Sequence, residues 1–166
     1  KHHISASFSR KIIVEDSQFF KAWDTGIGGH GYGVNFQLNT SRSRVTNSTF
    51  SEMRHPVTLH FGANHNVIAY NSAISQVGSN NQIITHGRGA HNNLFEGNFS
   101  TDGINIDGAH GNELPFNTFF RNRGKRVGNL FTSSLNSVNI IANEHTGQLV
   151  SRGSNDYIAN NVSDGG

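Results

Sequence analysis

Three histidines sit at matching places in a chain rich in Asn, Ser and Gly. His86 lies seven residues before Asn93, His110 lies seven before Asn117, and His60 lies six before Asn66. If these Asn residues occupy equivalent places in a stacked chain, the three imidazoles project from neighbouring turns about 5 Å apart. Arg54 and His55 stand just ahead of the third turn, and Asp107 lies three residues before His110. A His beside an Asp and an Arg can serve as a general base with charge neutralisation, which is what proton abstraction beside a uronate carboxylate requires. His86, His110, Arg54 and Asp107 are therefore the catalytic candidates. His60, His86, His110, Arg54, His55 and Trp23 form the candidate substrate-binding set. The competing reading is architectural, a stack of His that hydrogen-bond backbone carbonyls and shape a corner.

Other chemistries are less well served. Asp102 and Asp107 would make the carboxylate pair of a glycoside hydrolase only if the fold set them across a sugar bond. Neighbouring imidazoles are the nitrogen ligands that zinc takes, but the chain has no HExxH or comparable spacing, so no metal and no cofactor are expected. Trp23, Tyr32, Tyr70 and Tyr157 are the aromatic candidates for stacking on sugars, and Trp23, inside a Gly-rich stretch, is the one placed for ligand contact. Imidazoles gain charge near pH 6.5, so a His-lined groove would favour an acidic polymer as pH falls.

The elements that would position these groups come from a repeated phrase, an apolar pair followed by a polar residue and an Asn or Asp. It occurs as Ile13-Val14-Glu15-Asp16, Ile68-Ala69-Tyr70-Asn71, Phe95-Glu96-Gly97-Asn98, Phe119-Phe120-Arg121-Asn122, Ile140-Ile141-Ala142-Asn143 and Tyr157-Ile158-Ala159-Asn160, with a looser copy at Arg44-Val45-Thr46-Asn47. From Asn47 onward the Asn positions advance by 24, 27, 24, 21 and 17 residues. Such a period marks a solenoid, in which an Asn at each bend can bond its own backbone and the Asn above it. Strands are expected at Val34 to Leu38, Val57 to Phe61, Ile83 to His86, Ile104 to Asp107, Val127 to Phe131 and Gln148 to Ser151. Their alternation turns Val34, Phe36, Leu38, Val57, Leu59, Phe61, Ile104 and Ile106 inward. No window keeps a helical period. Ala22 to Gly33 breaks the repeat as an exposed excursion, and Ser163-Asp164-Gly165-Gly166 reads as a frayed end.

The fold class is therefore all-β, a right-handed parallel β-helix of about seven turns with Asn ladders, handed as parallel crossovers overwhelmingly are. Residues 1–166 form one domain, a segment of a longer solenoid. With 34% hydrophobic and 14% charged residues, 19 Gly and 12 Phe, the chain is rich in turns around a thin core. It has no Cys, which excludes a disulfide framework and thiolate metal sites. The formal charge of +2 is scattered, which argues against nucleic acid as a partner. No apolar run reaches the length of a membrane span, and Lys1-His2-His3 lacks a signal peptide's apolar stretch, as expected of a mature or excised segment.

Asn93-Leu94-Phe95-Glu96-Gly97-Asn98 and Phe116-Asn117-Thr118-Phe119-Phe120-Arg121-Asn122 carry a resemblance to the right-handed parallel β-helix, pectin-lyase-like superfamily. They are also similar to the β-helix repeat regions of large bacterial surface or secreted proteins. That superfamily includes polysaccharide lyases, glycoside hydrolases, epimerases, phage tailspikes and adhesins. The resemblance implies an extracellular or cell-surface module that binds, or processes, polysaccharide; it transfers no catalytic motif. The alternative is a structural or adhesive module without catalytic activity, whose uncapped ends self-associate into a filament or longer solenoid.

Overall fold

The computed structural model describes residues 2–74, 82–107, 110–111, 115–129, 137–151 and 155–164. Among them every strand pairing is parallel and no helix occurs. One sheet stacks seven three-residue strands in order: Ile13–Glu15, Arg44–Thr46, Val67–Ala69, Leu94–Glu96, Thr118–Phe120, Asn139–Ile141 and Tyr157–Ala159. The pairing is in register throughout, so the middle residues form one inward column of Val14, Val45, Ile68, Phe95, Phe119 and Ile140, all buried. Within it the rings of Phe95 and Phe119 lie parallel with centroids 4.8 Å apart.

The second sheet has 11 strands. Its main path runs through His2–Ser7, Tyr32–Gln37, His55–Leu59, Gln82–His86, Phe99–Asp107, Arg123–Asn129, Glu144–Ser151 and Val162–Ser163. A shorter stack, Gln18–Phe20, Thr49–Ser51 and Ser72–Ile74, joins at the front of Phe99–Asp107. There Phe99 and Ser100 continue the short stack, and Gly103 to Asp107 pair with Gln82 to His86. Two long strands begin earlier than alternation alone suggests, at Tyr32 and His55, and end at Gln37 and Leu59. Leu38 and Phe61 do not point inward, in contrast to the alternation: both take positive φ, 47° and 39°, which swings the side chains out to 36% and 41% exposure. Leu130 and Phe131, expected in the fifth long strand, lie outside the described residues, as do Gly165 and Gly166. Ser163, expected to be frayed, pairs with His145 instead.

Two continuous chains of side-chain amides flank the seven-stranded sheet. On one side Asn71 Nδ2 donates to Asn98 Oδ1, Asn98 to Asn122, Asn122 to Asn143 and Asn143 to Asn161, each at 3.0 Å. Each amide also donates to a backbone carbonyl of the preceding rung, as Asn98 does to Ile68 at 2.8 Å. On the other side Asn66 donates to Asn93 and Asn93 to Asn117, at 3.2 and 3.0 Å. Bonded in this way, the buried amides are satisfied at bends that water cannot reach.

The register places three copies of the phrase one residue away from the sequence alignment. Asn47 aligns with Tyr70, and Ser48 occupies the place of Asn71, donating its backbone N–H to Asn71 Oδ1 at 3.1 Å. Likewise Ser17 and Asn161, not Asp16 and Asn160, continue that chain of bonds. Asp16, Asn47, Tyr70, Gly97, Arg121, Ala142 and Asn160 form the preceding column, and all seven have φ between 48° and 60°. The step from Ser17 to Ser48 is the longest, 31 residues, because that rung contains the Gly-rich excursion.

Candidate functional site

The histidines gather on the outer face of the long-strand sheet. Val34, Phe36, Val57, Leu59, Ile104 and Ile106 belong to the core, so the residues between and after them face away from it. His86 is paired in register with Asp107, and Leu59 with Thr85, which sets His60 beside His86 one residue further along. The His60 and His86 ring centroids are 5.0 Å apart. The row is therefore His60, His86, Asp107. His110 joins from a turn beyond Asp107, with its ring 4.9 Å from His86 and 6.3 Å from His60. Counting back from Asn put His86 and His110 in one column. The corner from Asp107 to Asn117 is longer than the one from His86 to Asn93, and that difference shifts the register.

Asp107 orients His86: both carboxylate oxygens lie 2.8 Å from His86 Nδ1, the geometry of an Nδ1–H donor. Among the described residues the hydrogen bonds of the His86 ring are those of Nδ1, so a proton can be accepted at Nε2, with Asp107 fixing the tautomer and stabilising the imidazolium. His60 is 7% exposed, and its buried Nε2 has no partner. Burial, with His86 and His110 beside it, holds its pKa down at about 3. His55, paired with Tyr32 across the strands, is 1% exposed, and both of its ring nitrogens are buried without partners. Burial, with His86 and Arg54 beside it, holds it at about 3 as well. Both imidazoles are thus neutral at physiological pH, so neither supplies the positive charge near pH 6.5 that the sequence suggested.

His60, His86 and Asp107, but not His55, border a cavity of about 510 Å³, lined also by Tyr32, Asn35, Arg54, Phe61 and His110. Arg54 lines it and also clasps the Gly-rich excursion: its Nη1 donates to Gly26 O at 3.1 Å, and its backbone N–H donates to Gly31 O at 2.9 Å. Within the excursion Asp24 pairs with His30 and accepts the Gly26 N–H, the bond that chiefly lowers the Asp24 pKa. Ile27, Gly28 and Gly29 of this segment form one wall of the cavity, and the positive φ of Gly28 and Gly29, 87° and 81°, suits glycine there.

His60, His86, His110, Arg54 and Asp107 are thus brought together. His55 lies beneath them, its ring 5.1 Å from that of His86. Trp23 is fully exposed and lines a separate, neighbouring concavity of about 260 Å³, which shares only His2 and Tyr32 with the larger one. Tyr32 and Phe61 are aromatic residues at the cluster: the Tyr32 ring lies 5.0 Å from His55 and 5.9 Å from His60, the Phe61 ring 5.1 Å from His60, and burial raises the Tyr32 phenol pKa. Asn35 and Gln37 also line the cavity, and sequence reasoning passed over both. Strand alternation could have placed them on the outer face, but nothing in their type set them apart from other polar outer residues. Asp102 and Asp107 have different partners: Asp102 is bonded to Arg126 Nη2 at 2.6 Å, and Asp107 to His86 Nδ1 at 2.8 Å. Among the described residues no group of three His, Cys, Asp or Glu converges to hold a metal ion, and no helix is long and apolar enough to cross a membrane.

No protein-family model, curated protein or solved structure matches the chain.

Proposed function

We propose that the chain is a right-handed parallel β-helix of about seven turns with Asn ladders at two corners, related to the pectin-lyase-like superfamily. On this reading it is an extracellular or cell-surface module that binds polysaccharide in the cavity beside the long-strand sheet. The stacked parallel strands and the two chains of buried amides support the fold. The observation that carries the function is the buried, unpartnered Nε2 of His60 at the wall of a 510 Å³ cavity. A buried polar atom without a partner lowers stability unless something binds it, and clefts of this size with a few converging polar groups are typical ligand sites. Tyr32 and Phe61 add rings on which the C–H face of a sugar can rest. The His86–Asp107 pair is placed to move a proton if the module also processes its ligand.

Isothermal titration of the chain with a panel of polysaccharides tests this reading. At least one should bind, and His60→Phe, which keeps a ring and removes both nitrogens, should weaken it about tenfold, the equivalent of about 1.4 kcal/mol. A panel without binding, or His60→Phe binding as tightly as the parent with an unchanged circular dichroism spectrum, refutes it.

A second reading is a structural module that stacks end to end. It draws on Ile158, 47% exposed in the column whose inner members Val45 to Ile140 are fully buried, and on Ile13, 56% exposed. Apolar area of this kind gains about 25 cal/mol per Å² when covered.

A further inference from the structure

From the cavity's hydrogen-bonding inventory we infer that its ligand is an uncharged pyranose polymer, recognised through its hydroxyl groups, and not the acidic polymer that the histidines suggested. This rests on the reading of the cavity as a polysaccharide site and sharpens it.

The first consideration is what the walls offer. Asn35 is 1% exposed, and its Oδ1 is buried without a partner. Gln37 spends its Nε2 on Ser5 Oγ and Ser7 Oγ, at 3.3 and 3.1 Å, so its Oε1 remains to accept. His86 gives its Nδ1–H to Asp107, so in the neutral imidazole Nε2 is an acceptor. The Asp107 carboxylate, also at the wall, is acceptor only. His60 Nε2 takes either role according to its tautomer. These acceptors stand beside the donors of Arg54 and the Tyr32 hydroxyl, so the wall offers both roles and suits a ligand that both donates and accepts. Sugar hydroxyls both donate and accept, whereas a carboxylate brings no proton and would set acceptor against acceptor.

The second consideration is charge. The formally charged side chains lining the cavity are Arg54 and Asp107, one of each sign, and one guanidinium nitrogen of Arg54 is already bonded to Gly26 O. The titratable groups facing the cavity besides Asp107 are His2, Tyr32, His60, His86 and His110. Burial holds His60 neutral, which keeps it from adding a cation to the wall. A uronate would thus meet the Asp107 carboxylate with no surplus of positive charge at the wall, where the Arg54 guanidinium is balanced by Asp107 and partly used on Gly26 O. The rings of Tyr32 and Phe61 and the side chain of Ile27 suit the apolar faces of a pyranose, which a neutral sugar presents with no competing demand for solvation.

The test is calorimetric titration of the full chain at pH 7.5. The ligands are neutral oligosaccharides (cellohexaose, mannohexaose, xylohexaose and galactohexaose) and uronates of equal length (oligoguluronate, oligoglucuronate and oligogalacturonate). At least one neutral ligand should bind ten times or more tightly than every uronate. Asn35→Leu, which removes the buried acceptor, should weaken that ligand tenfold or more while leaving the circular dichroism spectrum and melting cooperativity intact. Gln37→Leu serves as the second variant if Asn35→Leu fails to fold, with the same expected loss. Uronates binding as tightly as neutral sugars, or more so, overturn the inference and leave the polysaccharide reading standing. Binding lost in Trp23→Ala but unchanged in Asn35→Leu and Gln37→Leu places the ligand in the neighbouring concavity and also overturns it. Binding of neither class refutes both the inference and the reading beneath it.

Discussion

Acidification should destabilise this chain through two particular histidines, and the size of the effect follows from their burial. His55 and His60 are held at a pKa of about 3 in the fold, against 6.5 when exposed to water. For a base whose folded pKa is depressed, the unfolded chain binds the extra proton. The stability is therefore complete above pH 6.5 and drains away as pH falls towards 3. At pH 7.5 an unfolded His is about one-tenth protonated and at pH 5.5 about ten-elevenths, while the folded residue stays neutral at both. The binding polynomial of the unfolded residue grows about tenfold between these values, which is about 1.4 kcal/mol for each His and about 2.7 kcal/mol for the two. The assay is urea unfolding at pH 7.5 and pH 5.5 of the parent and of the double variant His55→Phe, His60→Phe, in which both rings persist without a titrating nitrogen. His2, His86, His110, Arg54 and Asp107 remain in both proteins, so the difference of differences isolates the substituted pair. The variant should lose about 2.7 kcal/mol less than the parent on acidification, whatever its absolute stability. If it loses as much as the parent, His55 and His60 are not held neutral, and the argument from burial is wrong.

Two further outcomes follow from the packing. Asn98→Ala removes an amide that donates to Ile68 O and Asn122 Oδ1 and accepts from the backbone and side-chain nitrogens of Asn71. With each stranded buried group worth about 1–3 kcal/mol, chemical denaturation should record a loss of about 3 kcal/mol, and an unchanged midpoint would contradict the bonding described. If the exposed Ile158 mediates end-to-end stacking, sedimentation velocity should find the parent associating with concentration and Ile158→Lys remaining monomeric; a parent that stays monomeric at high concentration removes the stacking reading.

Much of the fold was legible because its constraints are local and repeated. The inward column Val45, Ile68, Phe95, Phe119, Ile140 and the amides of Asn71, Asn98, Asn122 and Asn143 could be read as one phrase, since each rung must solve the same problem of one apolar residue inside and one satisfied bend. The phrase slipped by one residue at Asp16, Asn47 and Asn160 for a physical reason. The column before the amide requires positive φ, which Asn and Asp tolerate better than most residues, so a polar residue there looks like the hydrogen-bonded amide that follows it.

The site was legible only as a set of residue types. His60, His86, His110, Arg54 and Asp107 were named from spacing, but which of them share a row depends on the length of each corner, and corners of different length move the register without altering the phrase. Leu38 and Phe61 alternated correctly for core residues, yet a left-handed backbone turned them out, because φ at a bend is set by the bonds the next rung makes. By itself, then, the sequence determined a stacked, parallel, Asn-lined chain with imidazoles on one side. Tertiary structure decided that Tyr32, Asn35 and Gln37 line the cavity with them, that Asp107 fixes the His86 tautomer, and that His55 and His60 stay uncharged. Those properties depend on burial and on neighbours 20 or more residues away, and the free energy of charging an imidazole belongs to its surroundings more than to the residue itself.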